Sequence, residues 1–468
     1  MASNEYHVMM FPWFAFGHML PYFEFAKRLA GKGIRVSFIS TPRNIHRLPL
    51  LADHLLEHIN LVKIPMPAIS GLPENCEATM DLQPDEVQYL IVACDELRDP
   101  VEQLLRQGLP DLILFDFVIS WIPQVAKKLS LRCAFFSAYA ASTLAFLGPP
   151  AELKSIRTRS KPEDLAIVPP WLPSTSLVSQ RIYQAARMFR NLYFPNISGM
   201  SNGQRWDSTL EGCDFVAVRS CQEFEGQYLD LLREFYQKPV IPIGFLPPNV
   251  NEQLSQHSVN TNWLQASKWL DQQPIKSVVF VGFGTEYKMP YSQIHELAFG
   301  LEISQLPFFW ILRKPEQMDS SKLLPDRFLE RTSNRGMISL GWAPQVKILA
   351  HPAIGGCLYH SGWSSIIESL GFGHPQILMP MVDDQGLNAK LLVEKGVAIE
   401  VCRNEDGSFT RDEVSKSIRL LMVEENGGRI RSHADQVKDI FADQDLHNNY
   451  VSEFIKFINL DPNRSSHG

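Results

Sequence analysis

Residues 342–385 read WAPQVKILAHPAIGGCLYHSGWSSIIESLGFGHPQILMPMVDDQ, and the apolar spacing here decides the fold class. The run 354–358 is apolar and of strand length, a helix opens at Gly362, and 376–379 is apolar again. A strand, a helix and a strand in such close succession form the crossover unit of a parallel sheet.

The same alternation continues outward. Towards the N-terminus the pattern predicts strands over 337–340, 308–312 and 277–281, a helix over 292–304 and another from Pro344. Further back, 7–11 reads as a strand, 18–30 as a helix, and Gly31-Lys32-Gly33 as a turn into a strand over 34–40. A strand over 112–115 and a helix over 121–129 follow. The expected class is α/β, with two Rossmann-like parallel-sheet domains facing a cleft, and ligands at the carboxyl ends of the strands. Residues 247–262, PPNVNEQLSQHSVNTN, are polar, lack an apolar period and open on Pro-Pro, as an interdomain linker would. The expected division is a domain over 1–246, the linker, a domain over 263–445, and a tail over 446–468. An amphipathic helix over 450–458 in that tail is expected to pack back on the first domain.

Composition narrows the function. A chain of 468 residues exceeds one ordinary core. Net charge is −7, from 44 basic and 51 acidic residues, and no Lys/Arg run occurs, which argues against a nucleic-acid partner. The seven cysteines include no CxxC pair, so neither a zinc site nor a disulfide framework is suggested. The first six residues carry no basic group, unlike a secretory leader, and no run of about 18 apolar residues suggests a membrane span. A cytoplasmic location is expected.

Within 342–385, the Trp342 indole offers a face for a uracil, with Ala343 beside it, although a Trp at a strand end also serves as core packing. Gln345 and Glu368 can hydrogen-bond ribose hydroxyls, or simply cover helix surface. The run His360-Ser361-Gly362-Trp363-Ser364-Ser365 follows a buried strand and opens a helix. Its free N–H groups, the helix dipole, the His360 ring and the Ser364 and Ser365 hydroxyls suit a pyrophosphate. The plain alternative is that Ser361 and Ser364 cap the helix. Asp384-Gln385 closes the next strand with groups that can grip sugar hydroxyls. Thr285 ends a strand and glycine-containing loop, FVGFGT, where backbone can approach a phosphate. Tyr287 stands where a dinucleotide fingerprint would need its third Gly.

Two further residues suit acid–base work. His18 follows the first strand, where a neutral imidazole can act as general base, although a lone His is often structural. Asp116 ends the strand 112–115, where a carboxylate can fix the His18 tautomer and stabilise the imidazolium. The chemistry that fits is a single displacement. An acceptor hydroxyl gives its proton to His18 and attacks a carbon that carries a diphosphate leaving group, the diphosphate departs from the opposite side, and the configuration inverts.

With FPWFAFGHMLP at 11–21 and STPRN at 40–44, the chain resembles plant family 1 UDP-dependent glycosyltransferases over essentially its whole length. The resemblance implies the GT-B fold, inversion, no metal or other cofactor, and a catalytic dyad of His18 and Asp116. It implies UDP contacts by Thr285, Trp342, Ala343, Gln345, His360, Ser364, Ser365 and Glu368. Contacts to the donor sugar are implied for Trp363, Asp384 and Gln385. Ser361 and Ser364 stand where the family usually has Cys and Asn, and Ser364 is the shorter group for the α-phosphate contact. Ser364, with GHMLPY and DQGLNAK, is similar to the clade that often adds a sugar to a glycoside, rhamnosyltransferase-like members included. The implied partners are a UDP-sugar donor, glucose or rhamnose, and a small glycoside acceptor of flavonoid or triterpenoid type. A monomer without nucleic-acid or membrane partners is expected.

Competing chemistries fit poorly. The only Asp-x-Asp, at 443–445, lies in the tail, and His295-Glu296 lacks a second His because Phe299 occupies its place. A UDP-sugar-binding protein without catalysis is the non-enzymatic alternative, opposed by the presence of both His18 and Asp116. A glucosyltransferase acting on an aglycone is the alternative within the enzyme class.

Overall fold

The computed structural model describes residues 5–154, 156, 158–248, 261–313, 322–341 and 343–460. Trp342 and most of the expected linker, 249–260, lie outside the described residues.

The chain divides into two compact units. The first comprises residues 1–164, 187–246 and 444–468; the second comprises 165–186 and 247–443. The sequence reading assigns 165–186 to the N-terminal domain, and the structure places it with the second unit. The physical reason is polar anchoring. Ser176 Oγ and Leu177 N donate to Glu394, Gln180 Nε2 donates to the Asp383 carbonyl, and Arg181 pairs with Glu400.

The first unit holds seven parallel strands: β1 (His7–Phe11), β2 (Arg35–Ser40), β3 (Ile59–Lys63), β4 (Leu112–Phe115), β5 (Arg132–Ser137), β6 (Phe215–Val218) and β7 (Val240–Pro242). Their spatial order is β3-β2-β1-β4-β5-β6-β7. Strands β1 and β4 are buried throughout, so they read as unbroken apolar runs rather than alternating ones. Helix α1 (Phe16–Ala30) follows β1 and buries Tyr22, Phe23, Phe25 and Leu29.

The second unit holds six parallel strands: β8 (Val278–Gly282), β9 (Phe308–Leu312), β10 (Gly336–Leu340), β11 (Ile354–Tyr359), β12 (Gln376–Leu378) and β13 (Ala398–Glu400). They run in the order β10-β9-β8-β11-β12-β13. Helix α2 (Trp363–Leu370) follows β11, and α3 (Gln385–Glu394) follows β12. Val279, Val281, Phe308, Trp310, Leu358 and Ile377 make one face of its core.

Each sheet reverses its winding direction once. In the first the reversal falls between β1 and β4, in the second between β8 and β11. At such a point neighbouring loops diverge at the strands' carboxyl ends and leave a crevice, which is where open α/β sheets bind ligands.

The tail helix α4 (Gln444–Asn459) belongs to the first unit and packs on α1. Phe454 meets Phe25 edge-on at 5.1 Å, and Arg28 Nη1 donates to Asn448 at 2.9 Å. Among the described residues no helix is long and apolar enough to cross a membrane.

Candidate active site

In the first unit, His18 and Asp116 come together at the reversal point. His18 lies in the first turn of α1, just beyond β1, where its N–H and that of Met19 both bond the Ala15 carbonyl. Asp116 immediately follows β4. His18 Nδ1 is 2.7 Å from Asp116 Oδ2. An ionised carboxylate has no proton to give, so Nδ1 carries the hydrogen and the neutral ring presents its lone pair at Nε2. Asp116 is 1% exposed and is held in turn by the Phe117 N–H at 2.8 Å on Oδ1. Tyr139 meets the His18 ring edge-on at 5.0 Å. A fixed His tautomer backed by a buried carboxylate is the working part of a general base.

The second unit builds a different kind of site around β8 and β11. The His360 ring ends β11 and lies between two glycines. A Cβ at Gly284 would come 2.8 Å from Nε2, and one at Gly362 would come 2.6 Å from it. Gly284 has φ of +65°, a conformation that glycine adopts without strain. Burial pulls the His360 pKa down to about 4, so the ring is neutral at physiological pH. Thr285 is half-buried in the same β8 loop.

Ser361 follows with φ of +69°, a left-handed conformation unusual for a residue with a side chain. Its carbonyl accepts from Asn388 Nδ2 at 3.1 Å, and the same amide reaches Asp384 Oδ2 at 2.7 Å. Helix α2 then opens with Trp363, Ser364 and Ser365. The Trp363 indole is buried. Ser364 and Ser365 are half-buried in the first turn. One helical turn further, Glu368 Oε2 accepts from Gln345 Nε2 at 2.7 Å, so the two candidate ribose contacts hold each other. Ala343 is half-buried against the core beneath β8 and β9.

At the far side, Asp384 and Gln385 form the start of α3. Gln385 Oε1 accepts from Met381 N at 2.9 Å and Val382 N at 3.1 Å, which leaves its Nε2 as the end available to donate. The sequence reading gave Asn388 no role, although it lies one helical turn beyond Asp384 on α3 and the spacing marks it as a neighbour. Gln180 was missed too. It is separated from its partner Asp383 by 203 positions, and no local signal announces such a contact.

Residues 88–427 match the family described as UDP-glucoronosyl and UDP-glucosyl transferase. The chain belongs to this UDP-glycosyltransferase family. It is 44% identical to UDP-glycosyltransferase 91C1 of Arabidopsis thaliana, covering 98% of each chain. It is 32% identical to the anthocyanidin-3-O-glucoside rhamnosyltransferase of Petunia hybrida, covering 97% of this chain and 96% of that one. In fold it resembles Glycyrrhiza uralensis UGT73P12, complexed with glycyrrhetinic acid 3-O-monoglucuronide. The TM-score there is 0.79 at 22% identity, with 97% of this chain and 96% of that one covered. The two Rossmann-like units are therefore those of a GT-B glycosyltransferase, which uses a UDP-sugar donor and a small-molecule acceptor. Among the described residues no group of three or more His, Cys, Asp and Glu is placed to hold a metal ion.

Proposed function

We propose that this glycosyltransferase moves glucose or rhamnose from UDP onto a hydroxyl of a small-molecule glycoside, of flavonoid or triterpenoid type, with inversion. The observation that carries the catalytic part is the 2.7 Å contact between His18 and buried Asp116. The acceptor O–H gives its proton to His18 Nε2, and Asp116 balances the imidazolium that results. The acceptor oxygen forms a bond to the anomeric carbon as the bond from that carbon to the β-phosphate oxygen breaks. UDP leaves with the electron pair.

The leaving diphosphate gains charge as it departs. In this scheme the N–H groups opening α2, the Ser364 and Ser365 hydroxyls, Thr285 and the His360 ring meet that charge, and no metal is required. The base stacks on Trp342 beside Ala343, and Gln345 and Glu368 take the ribose. The Trp363 N–H, Asp384 and Gln385 hold the transferred sugar.

The glycoside acceptor and the rhamnose option are supported by the Petunia relative, whose name joins a glucoside acceptor to rhamnosyl transfer. We further propose a cytoplasmic monomer. The free state of all seven cysteines, five of them buried, is compatible with a reducing compartment.

The test is a mass-spectrometric product screen. UDP-glucose and UDP-rhamnose are paired with flavonoid and triterpenoid acceptors, each as aglycone and as monoglucoside, with His18→Ala alongside. The expected result is a disaccharide-bearing product from one donor, absent in the variant. Transfer to aglycones alone would overturn the glycoside assignment, and undiminished transfer by His18→Ala would overturn the mechanism.

A further inference from the structure

Two residues of the second unit that carry side chains adopt left-handed backbone conformations beside the proposed donor contacts. They are Ser361, φ +69°, and Asp383, φ +53°. Such conformations persist where the surroundings hold them, and they gather at binding sites. In both cases a buried side-chain amide clamps the carbonyl of the strained residue. Asn388 Nδ2 donates to Ser361 O at 3.1 Å, and Gln180 Nε2 donates to Asp383 O at 2.8 Å. Asn388 is fully buried and Gln180 is 2% exposed.

The first clamp comes from within the neighbouring helix. The second comes from the strap 165–186, which reaches the second unit from far earlier in the chain. The strap is fastened at both ends of α3. At the C-terminal end, Ser176 Oγ and Leu177 N donate to Glu394 Oε2, at 3.2 and 3.0 Å. At the N-terminal end the Gln180 amide is itself oriented, because its Oε1 accepts the Arg181 N–H at 3.0 Å. Gly386 makes room for this arrangement. A Cβ there would lie 2.0 Å from Gln180 Oε1 and 2.7 Å from Gln184 Oε1. The amide-bearing face of the strap therefore lies directly on the first turn of α3, which begins with Gln385.

We propose that Gln180 is a positioning residue for the donor sugar. By clamping the carbonyl of Asp383 in its left-handed turn, it sets where the Asp384 carboxylate and the Gln385 amide point. Its contact falls on the turn that leads into Asp384 and Gln385, so its effect is expected on the sugar portion of the donor. The inference rests on the assignment of Asp384 and Gln385 to the transferred sugar.

Calorimetric titration of the full-length protein with UDP, UDP-glucose and UDP-rhamnose tests it, together with donor and acceptor KM values. Gln180→Ala should weaken the productive UDP-sugar about tenfold relative to bare UDP, and raise donor KM, leaving the UDP affinity and acceptor KM within about twofold. Gln180→Glu keeps the shape and, while ionised, cannot donate to the Asp383 carbonyl, so it is titrated above about pH 8 and carries the test should the Ala variant not fold. Gly386→Ala, whose Cβ would displace the Gln180 amide, should reproduce the same split. A purely structural role would lower the melting temperature and move UDP and UDP-sugar binding equally.

Equal changes for UDP and UDP-sugar, or no change in a well-folded Gln180→Glu, would overturn the proposal. Gln385→Ala separates the two layers. If it selectively weakens UDP-sugar binding while the Gln180 variants do not, the positioning role alone is wrong. If Gln385→Ala has no selective effect, the sugar assignment is wrong and the strap's role falls with it.

Discussion

The two histidines at the two reversal points are built for opposite tasks. His18 has a buried carboxylate 2.7 Å from Nδ1, an arrangement that fixes the ring's orientation and its tautomer. His360 lies between Gly284 and Gly362, and burial draws its pKa to about 4, which keeps it neutral. The first arrangement suits a group that must take up a proton. The second suits one that must donate a hydrogen bond to a growing anion without gaining charge itself. In the proposed scheme the same topological position serves as a base or as an oxyanion partner according to whether a carboxylate or a pair of glycines surrounds the ring.

Beside removal of the base itself, the largest effect should come from removing the carboxylate's charge. Asp116→Asn should lower kcat about a thousandfold, because the ring loses both its tautomer and the balance for its positive charge. UDP affinity should stay as it is, and steady-state kinetics beside a UDP titration check this. A variant with near-normal kcat would erase the contrast between the two histidines.

Gly284→Ala attacks the other side. An Ala in a left-handed conformation with its Cβ against the His360 ring costs about 1–3 kcal/mol, or, where that strain falls on the bound state, about fivefold to 150-fold in UDP dissociation constant. The titration should show that loss, and unchanged binding would mean the imidazole does not need its glycine cradle.

Asn388→Ala sharpens the contrast within the second unit. The buried Ser361 carbonyl loses its Asn388 donor and the half-buried Asp384 carboxylate loses one contact, at a cost of about 2 kcal/mol. A calorimetric scan should show a lower Tm, and an unshifted Tm would mean that the two contacts contribute nothing.

The parallel sheets were legible because buried strands in such sheets are unbroken apolar runs. β1, β4 and β9 carry the boundaries read from sequence. β5, RCAFFS, and β6, FVAV, are as apolar but were passed over, and attention to runs alone would have found them. β7 and β13 are three residues each, too short to show any period. His18, Asp116 and the His360 run were visible because each follows a strand directly. The strap was not. Its membership of the second unit depends on hydrogen bonds spanning more than 200 positions, which no local pattern encodes.

Acid titration gives a graded effect. Burial lowers the pKa of both His360 and His374 to about 4, whereas the unfolded chain titrates near 6.5. Between those values the unfolded state binds more protons, so the stabilisation from keeping these rings neutral is present above pH 6.5 and is lost as pH falls towards 4. Urea midpoints at pH 7, 5.5 and 4.5 should decline. His374→Gln should flatten the decline, and an identical slope would remove His374 from the explanation.

Gln345→Ala should matter least. The hydrogen bond that it gives Glu368 contributes about 1 kcal/mol, so a donor KM increase of about fivefold is expected. A change of a hundredfold would move Gln345 from support to a principal contact.

The most direct test of the division of labour is one preparation of His18→Ala assayed twice, by single-turnover sugar transfer and by calorimetric titration with UDP. The predicted result is a transfer rate lowered about a thousandfold with the UDP dissociation constant unchanged. Retained transfer, or a UDP affinity that falls in step with the rate, would contradict the assignment of His18 to proton transfer.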